Sequence, residues 1–341
     1  MAVIGAGMVA DIHLAAIAAT GGAVRLRGVL SRRGDSARAL LARNATSPDS
    51  ARVYGSLDEV AADDGVDFAI LLTPPNARVD LVATLAAAQK PILMEKPLAR
   101  DLAEATRVVE ICEAAALATG VVFQHRFRAA SLKAKALVDS GTLGPLAMAD
   151  IAVPWWRPQS YYDEPGRGTY ARDGGGVLIS QAIHTIDLAL SLTGPVASVQ
   201  AMTATTAQHA MEAEDFAVVG LRFASGAVGA LAANTASYPG LPETIALHFA
   251  AASLRLHAGV LTVSWRDGRE ERFGETAATG GGADPMAFTH EWHQSVLENF
   301  VAALAGGHDP AVTARGALVS HQLIDAIERS ARAGSVVAIE G

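Results

Sequence analysis

The chain has 341 residues, half of them hydrophobic and 18% charged, with a formal net charge of −8. That length suits two domains of ordinary size, and that composition suits a folded globular protein rather than a disordered one. The acidic balance argues against nucleic acid, whose binding needs a basic face, and against an anionic membrane surface.

No apolar run is long enough to span a bilayer. Met1 to Gly5 run straight into a strand and a glycine turn, so no signal peptide is expected. Cys112 is the one cysteine. It excludes an intrachain disulfide, makes a cytoplasmic location the default, and reads as a core residue of a helical run.

The first third alternates between two hydrophobic periods. Short apolar runs predict strands at 2–4, 24–30, 67–73, 91–94 and 120–123, and helical spacing predicts helices at 8–19, 34–43, 76–89 and 101–118. Fully apolar strands alternating with helices predict a doubly wound parallel α/β sheet, a Rossmann-like dinucleotide-binding domain over residues 1–123.

After Phe123 the pattern changes. Helices are expected at 128–140 and 178–193, the second stopped by Gly194-Pro195. Period-two runs follow at 196–205, 214–223, 227–236, 243–250, 253–257, 260–264 and 269–273. Hairpin turns are expected at 223–227 and 266–269. Helices return at 288–305 and 313–332. Residues 124–341 therefore read as an α+β domain with a large open mixed or antiparallel sheet for substrate binding and oligomerisation, its last helix free to pack back on the first domain. Gly280-Gly281-Gly282 reads as a flexible connection.

Gly5-Ala6-Gly7-Met8-Val9-Ala10 has the form G-x-G-x-x-A between a strand and a helix. Gly5 permits a tight turn, Gly7 a close approach of pyrophosphate, and the amides of Met8 and Val9 face phosphate oxygens. The carboxylate that would hold a ribose 2′-hydroxyl is missing after the second strand. Ser31, Arg32 and Arg33 stand there instead and suit a 2′-phosphate, which favours NADP, with NAD as the alternative.

Glu95-Lys96-Pro97 follows the strand at 91–94, at the sheet edge where ligands bind. A Lys beside a cationic nicotinamide has its pKa lowered, which suits proton exchange with a substrate hydroxyl. Farther on, Ser180, His184 and Asp187 share a helix face behind Gly174-Gly175-Gly176. His184 reads either as a donor to a substrate oxygen or as a core histidine bonded to Asp187. Trp155-Trp156-Arg157 and the Tyr162 and Arg167 region combine aromatic faces with Arg donors, which suits a hydroxylated ring or a carboxylate. Arg157, Tyr162 and Arg167 are the substrate candidates. His290-Glu291-Trp292-His293 lacks the H-E-x-x-H spacing, so no metal is expected.

The glycine turn, Thr73-Pro74-Pro75-Asn76, Glu95-Lys96-Pro97, Arg126-Phe127 and the Gly-rich run into His184 and Asp187 together resemble the Gfo/Idh/MocA oxidoreductases. The resemblance spans nearly the whole chain. It implies that Lys96 and His184 are the catalytic pair and that nicotinamide lies near Thr73, Pro74, Asn76, Glu95 and Lys96. It adds Arg126 and Ser180 to the substrate side and implies a homodimer or homotetramer. Two features depart from the family. Ser180, followed by Gln181, stands where polyol-oxidising members often have Asp, and Gln124-His125-Arg126-Phe127 replaces the commoner Asn-Arg-Arg-Phe.

The expected activity is hydride transfer between nicotinamide and a hydroxyl or carbonyl carbon of a sugar, polyol or related cyclic hydroxy compound. A dihydrodiol or aromatic-degradation hemiacetal dehydrogenase is a close alternative. A cofactor-binding sensor without chemistry is the alternative of another class, which the presence of both Lys96 and His184 opposes.

Overall fold

The computed structural model describes residues 1–44 and 51–339. The chain forms two compact units. Met1–Gln124 and Thr289–Leu318 make the first; His125–Phe288 and Val319–Gly341 make the second.

The first unit carries a six-stranded sheet: β1 (Ala2–Ile4), β2 (Gly28–Leu30), β3 (Arg52–Tyr54), β4 (Ala69–Leu71), β5 (Ile92–Glu95) and β6 (Thr119–Val122). Their order is β3-β2-β1-β4-β5-β6 and every pairing is parallel. The order reverses between β1 and β4, the crevice at which such sheets take a dinucleotide. β1, β4 and β5 are buried at every position, as strands covered on both faces must be.

Local chemistry starts several helices. Ser56 Oγ accepts the Glu59 amide at 3.2 Å, and Asp101 Oδ1 accepts the Glu104 amide at 2.8 Å at the start of Leu102–Ala114. The chain returns to this unit late. Helix Glu291–Gly306 packs along helix Ala10–Ala19, Phe300 meets Phe68 edge to face at 5.4 Å, and the Val121 amide donates to the Val312 carbonyl at 3.0 Å. Cys112 is buried.

The second unit carries a nine-stranded mixed sheet: β7 (Leu146–Pro154), β8 (Val196–Ala204), β9 (Phe216–Phe223), β10 (Val228–Asn234), β11 (Thr244–Phe249), β12 (Ala252–His257), β13 (Val260–Trp265), β14 (Glu270–Phe273) and β15 (Val337–Ala338). The order is β14-β13-β12-β11-β7-β10-β9-β8-β15, with β7 and β10 parallel and the other neighbours antiparallel. Gly226 (φ +90°) and Gly268 (φ +92°) turn the β9–β10 and β13–β14 hairpins. Ile151, Val153, Val219, Leu221, Leu231, Ile245 and Leu247 are buried on one face of this sheet. Helices Ala129–Asp139 and Ile183–Thr193 pack against strands of the sheet. The opposite face leaves Met148, Met202, Val218 and Val228 exposed.

Several elements differ from expectation. β2 occupies only 28–30 of the anticipated 24–30, because Val24 to Arg27 lead in without ladder pairing. β3 and helix Leu57–Ala62 were not anticipated. Neither was β7, a central strand whose Ala-rich sequence carries a weak β signal. The helix expected over 178–193 opens as a π-helical turn, Leu178–Ala182, before the α-helix Ile183–Thr193. The glycine run at 280–282 is pinned rather than loose. The carbonyls of Gly280 and Gly282 accept Arg157, and the Gly281 carbonyl accepts the Trp156 amide at 2.8 Å.

Candidate active site

The glycine turn has the space its reading requires. Gly5 has φ +115°, and a Cβ there would lie 2.9 Å from the Leu72 carbonyl carbon and 3.1 Å from the Thr73 amide. Gly5 is thus fixed both by conformation and by close approach to the end of β4. A Cβ on Gly7 would meet nothing within 4 Å. It would project into open space beside the start of helix Ala10–Ala19, where unpaired amides attract phosphate. Met8 is exposed there. Thr73 Oγ1 is buried without a hydrogen-bond partner. An open cradle over a helix start and an orphaned hydroxyl beside it fit a bound dinucleotide. Pro74 and Asn76 are exposed on the same loop.

After β2, Ser31 Oγ donates to the Arg33 carbonyl at 2.5 Å and stabilises the turn. Arg32 and Arg33 are exposed.

Glu95 ends β5 and is buried. Its Oε1 lies 2.7 Å from His13 Nε2 and 3.7 Å from His293 Nε2. The two imidazoles meet edge to face at 4.9 Å. Burial alone would raise the Glu95 carboxyl. The hydrogen bonds from His13 and then His293 outweigh it and hold the group well below its ordinary range. Burial likewise lowers His293. Buried Arg78 donates to the Thr73 carbonyl at 2.7 and 3.1 Å and also to the Glu95 carbonyl. One guanidinium therefore ties the β4 loop to the β5 end, where Lys96 follows across a cis Lys96–Pro97 bond.

The sequence missed this cluster. The spacing pairs His293 only with His290, whereas the structure gathers His13, Glu95 and His293 with ligand atoms within 4.8 Å of one another. The direct His13–Glu95 bond and the adjacent Arg78 cation give the carboxylate its partners there.

In the second unit, the turn leading to His184 is built by Glu214. Its carboxylate accepts the Gly176 and Leu178 amides, each at 3.0 Å, and its carbonyl accepts the Val177 amide at 2.8 Å. A Cβ at Gly176 would lie 1.7 Å from that carbonyl oxygen, so glycine at 176 is a packing requirement. His184 is buried, and its ring stacks on His125 at 4.9 Å and 26°. Glu243 lies 3.9 Å from His125 and pairs with Arg128. Asp187 does not serve His184 as the core-histidine reading required. It takes Arg126 bidentately, 2.6 Å on each arm. Burial pushes Asp187 up to about 6, against the pull of Arg126. Arg126 thereby has its fork committed within the protein. Ser180 is half-buried one turn before His184.

The anticipated substrate residues gather around Tyr161 but differ in their commitments. Arg157 is buried, and its guanidinium donates to the carbonyls of Trp156, Gly280 and Gly282. Tyr162 turns inward, its hydroxyl 2.6 Å from Thr235 Oγ1 and raised above its ordinary range by burial. Arg167 bonds Glu164 at 2.8 Å and lies over the Tyr161 ring, 4.7 Å from its centroid. Tyr161 and Gln181, neither of them a substrate candidate in the sequence, share this neighbourhood.

A parallel sheet with this strand order, a G-x-G-x-x-A turn at its switch point and a Glu-Lys-Pro edge define a dinucleotide-binding oxidoreductase. Residues 1–123 match the oxidoreductase family NAD-binding Rossmann fold, and residues 131–255 match the GFO/IDH/MocA C-terminal domain. WlbA dehydrogenase of Bordetella pertussis, solved with NADH and UDP-GlcNAcA, is 30% identical, covers 100% of this chain and 98% of its own, and has a TM-score of 0.83. D-apiose dehydrogenase of Rhizobium rhizogenes is 27% identical over 305 residues, 84% of each chain. Inositol 2-dehydrogenase of Rhizobium meliloti is 24% identical over 343 residues, 96% of this chain and 95% of that protein. The chain belongs to the Gfo/Idh/MocA oxidoreductase family. Among the described residues no helix is long and apolar enough to cross a membrane.

Proposed function

We propose that this protein is a dehydrogenase that moves a hydride between nicotinamide and a CH–OH carbon of a sugar, polyol or related cyclic hydroxy compound, with Lys96 and His184 handling the hydroxyl proton. The observation that carries the reading is the joint presence of an open phosphate cradle at Gly7 and a built lysine edge at Glu95-Lys96-Pro97. When bound, the cofactor supplies the hydride acceptor or donor. The amides of Met8 and Val9 would hold its phosphates, and Thr73, Pro74, Asn76 and Glu95 would lie near the ring. Glu95, fixed by His13, His293 and Arg78, holds the backbone from which Lys96 projects. Lys96 would take the hydroxyl proton, with His184 as the second residue that handles it. Of the related proteins named above, two are named as dehydrogenases of D-apiose and inositol and the third is solved with UDP-GlcNAcA bound, which supports a hydroxylated substrate.

Ser31, Arg32 and Arg33 support NADP over NAD, since the exposed guanidiniums are free to meet a 2′-phosphate. Exposed Met148, Met202, Val218 and Val228 on one sheet face support assembly with further copies of the chain. A cytoplasmic location completes the reading, and a single buried cysteine suits it.

The test follows reduced-nicotinamide absorbance with NAD or NADP across aldoses, inositols, sugar acids and cyclic dihydrodiols. Turnover with a hydroxylated compound is expected, faster with NADP. Tight cofactor binding with no turnover anywhere on the panel would overturn the reading in favour of a sensor.

A further inference from the structure

Arg157 is a buried cation with no carboxylate in ion-pair reach among the described residues. It is 2% exposed, and its hydrogen-bond acceptors are the backbone carbonyls of Trp156, Gly280 and Gly282. Asp284 acts on it only at longer range, and Arg167 opposes it. Its Nε is buried with no partner among the described residues. Burying a guanidinium this way is costly unless something negative arrives.

A second arginine is incompletely satisfied nearby. Glu164 divides its two oxygens between Arg167 and Arg172, at 2.8 and 2.9 Å, so one carboxylate serves two guanidiniums. Asp173 also faces Arg167, but one of its oxygens is held by the Gly168 amide at 2.9 Å. The Arg167 Nε is buried with no hydrogen-bond partner among the described residues. Both arginines face one phenol, with guanidinium carbons 5.7 Å (Arg157) and 4.7 Å (Arg167) from the Tyr161 ring centroid.

Gln181 completes the cluster. It is 4% exposed, its Nε2 reaches the Tyr161 hydroxyl at 3.4 Å, and its Oε1 is buried with no partner. Buried polar atoms are nearly always satisfied, so three orphans around one tyrosine call for a ligand. Two of them are donors on cations and one is an acceptor. Gln181 also lies in the run that leads to His184, three residues before it, which ties the cluster to the proposed chemistry.

We infer that the substrate is a sugar acid or other polyhydroxy acid, its carboxylate received by Arg167 and the Tyr161 hydroxyl and a neighbouring hydroxyl by Gln181 Oε1. Arg157 stands behind them as a fixed positive charge. This rests on the dehydrogenase reading and narrows it: a neutral sugar would bring no charge to meet Arg167.

The test compares kcat/KM of the holoenzyme for D-gluconate and D-glucuronate with that for D-glucose. Binding of each acid to protein saturated with reduced cofactor is measured by calorimetry. A charged hydrogen bond predicts about ten- to hundred-fold preference for an acid. Arg167→Gln and Gln181→Leu should each pull the acid-to-sugar ratio toward one. D-glucose used as well as both acids would overturn the inference while leaving the dehydrogenase reading intact, as would equal loss on acid and sugar in Arg167→Gln. Should no compound turn over, the activity reading fails on this panel, and calorimetry still decides. Acid binding weakened about tenfold by Arg167→Gln supports the carboxylate site, and no acid binding overturns it.

Discussion

Gly5 and Gly7 lie in the same turn, yet alanine should act oppositely at the two. At Gly5 the backbone has φ +115°, and the new methyl would press within 3.1 Å of the Leu72 carbonyl and the Thr73 amide. The conformation costs about 1–3 kcal/mol and the backbone overlap a similar amount. Gly5→Ala should therefore lower the melting temperature even without cofactor. At Gly7 a Cβ meets nothing within 4 Å. Gly7→Ala should keep the melting temperature, or raise stability by about 0.4–1 kcal/mol through the unfolded chain. Its methyl would instead stand where phosphate must approach. Losing one charge-assisted hydrogen bond, about 1.5–3 kcal/mol, weakens dinucleotide binding about ten- to hundred-fold. Thermal denaturation of the apoprotein and a cofactor titration read the two effects separately. Wild-type cofactor affinity in Gly7→Ala, or destabilisation equal to that of Gly5→Ala, would refute the reasoning.

Other expectations follow from the same geometry. Arg126→Ala leaves Asp187 without its fork, and because a carboxyl held at about 6 can protonate rather than stay charged, the loss near neutral pH should be about 1–2 kcal/mol. Because burial already raises Asp187 to about 6, that loss should shrink as pH falls and the carboxyl protonates, seen in melts across pH. Replacing Arg32 and Arg33 together by Ala should lower the kcat/KM ratio of NADP to NAD about tenfold or more; an unchanged ratio would remove the 2′-phosphate role. His321 is fully buried and its pKa is lowered to about 4. Its neutral form contributes fully above the ordinary histidine value near 6.5, and that contribution is lost as pH falls toward about 4. His321→Leu should flatten the melting profile in that window.

What the sequence revealed depended on how local each signal was. β1, β4 and β5 are short apolar runs buried on both sides, and Gly5-x-Gly7 sits at a strand end, so the first domain could be read residue by residue. β7 could not. Leu146–Pro154 reads as small residues with a weak period, and it becomes a central strand only through its parallel neighbour β10 and antiparallel neighbour β11, far along the chain. β3 is as short as β1 and β4 but opens on the exposed Arg52, so it lacks the fully apolar run that marks them.

The site divides the same way. Lys96 and His184 were marked by motifs. Glu95 looked like part of the Lys96 motif, whereas its partners His13 and His293 come from helices at opposite ends of the sequence. The Gly-rich run before His184 carried no local reason for its glycines, and at Gly176 that reason is a Glu214 carbonyl, distant in sequence, that excludes any Cβ. Tyr161 and Tyr162 are adjacent and chemically alike. Only the fold turns Tyr162 toward Thr235 and leaves Tyr161 facing the arginines.

The central claim, hydride transfer with Lys96 managing the hydroxyl proton, is tested most directly by Lys96→Met. Turnover is followed through reduced nicotinamide, and cofactor affinity is measured on the same preparation. The account predicts turnover reduced about 10²- to 10⁴-fold with cofactor affinity near wild type. Turnover within a few-fold of wild type would contradict it.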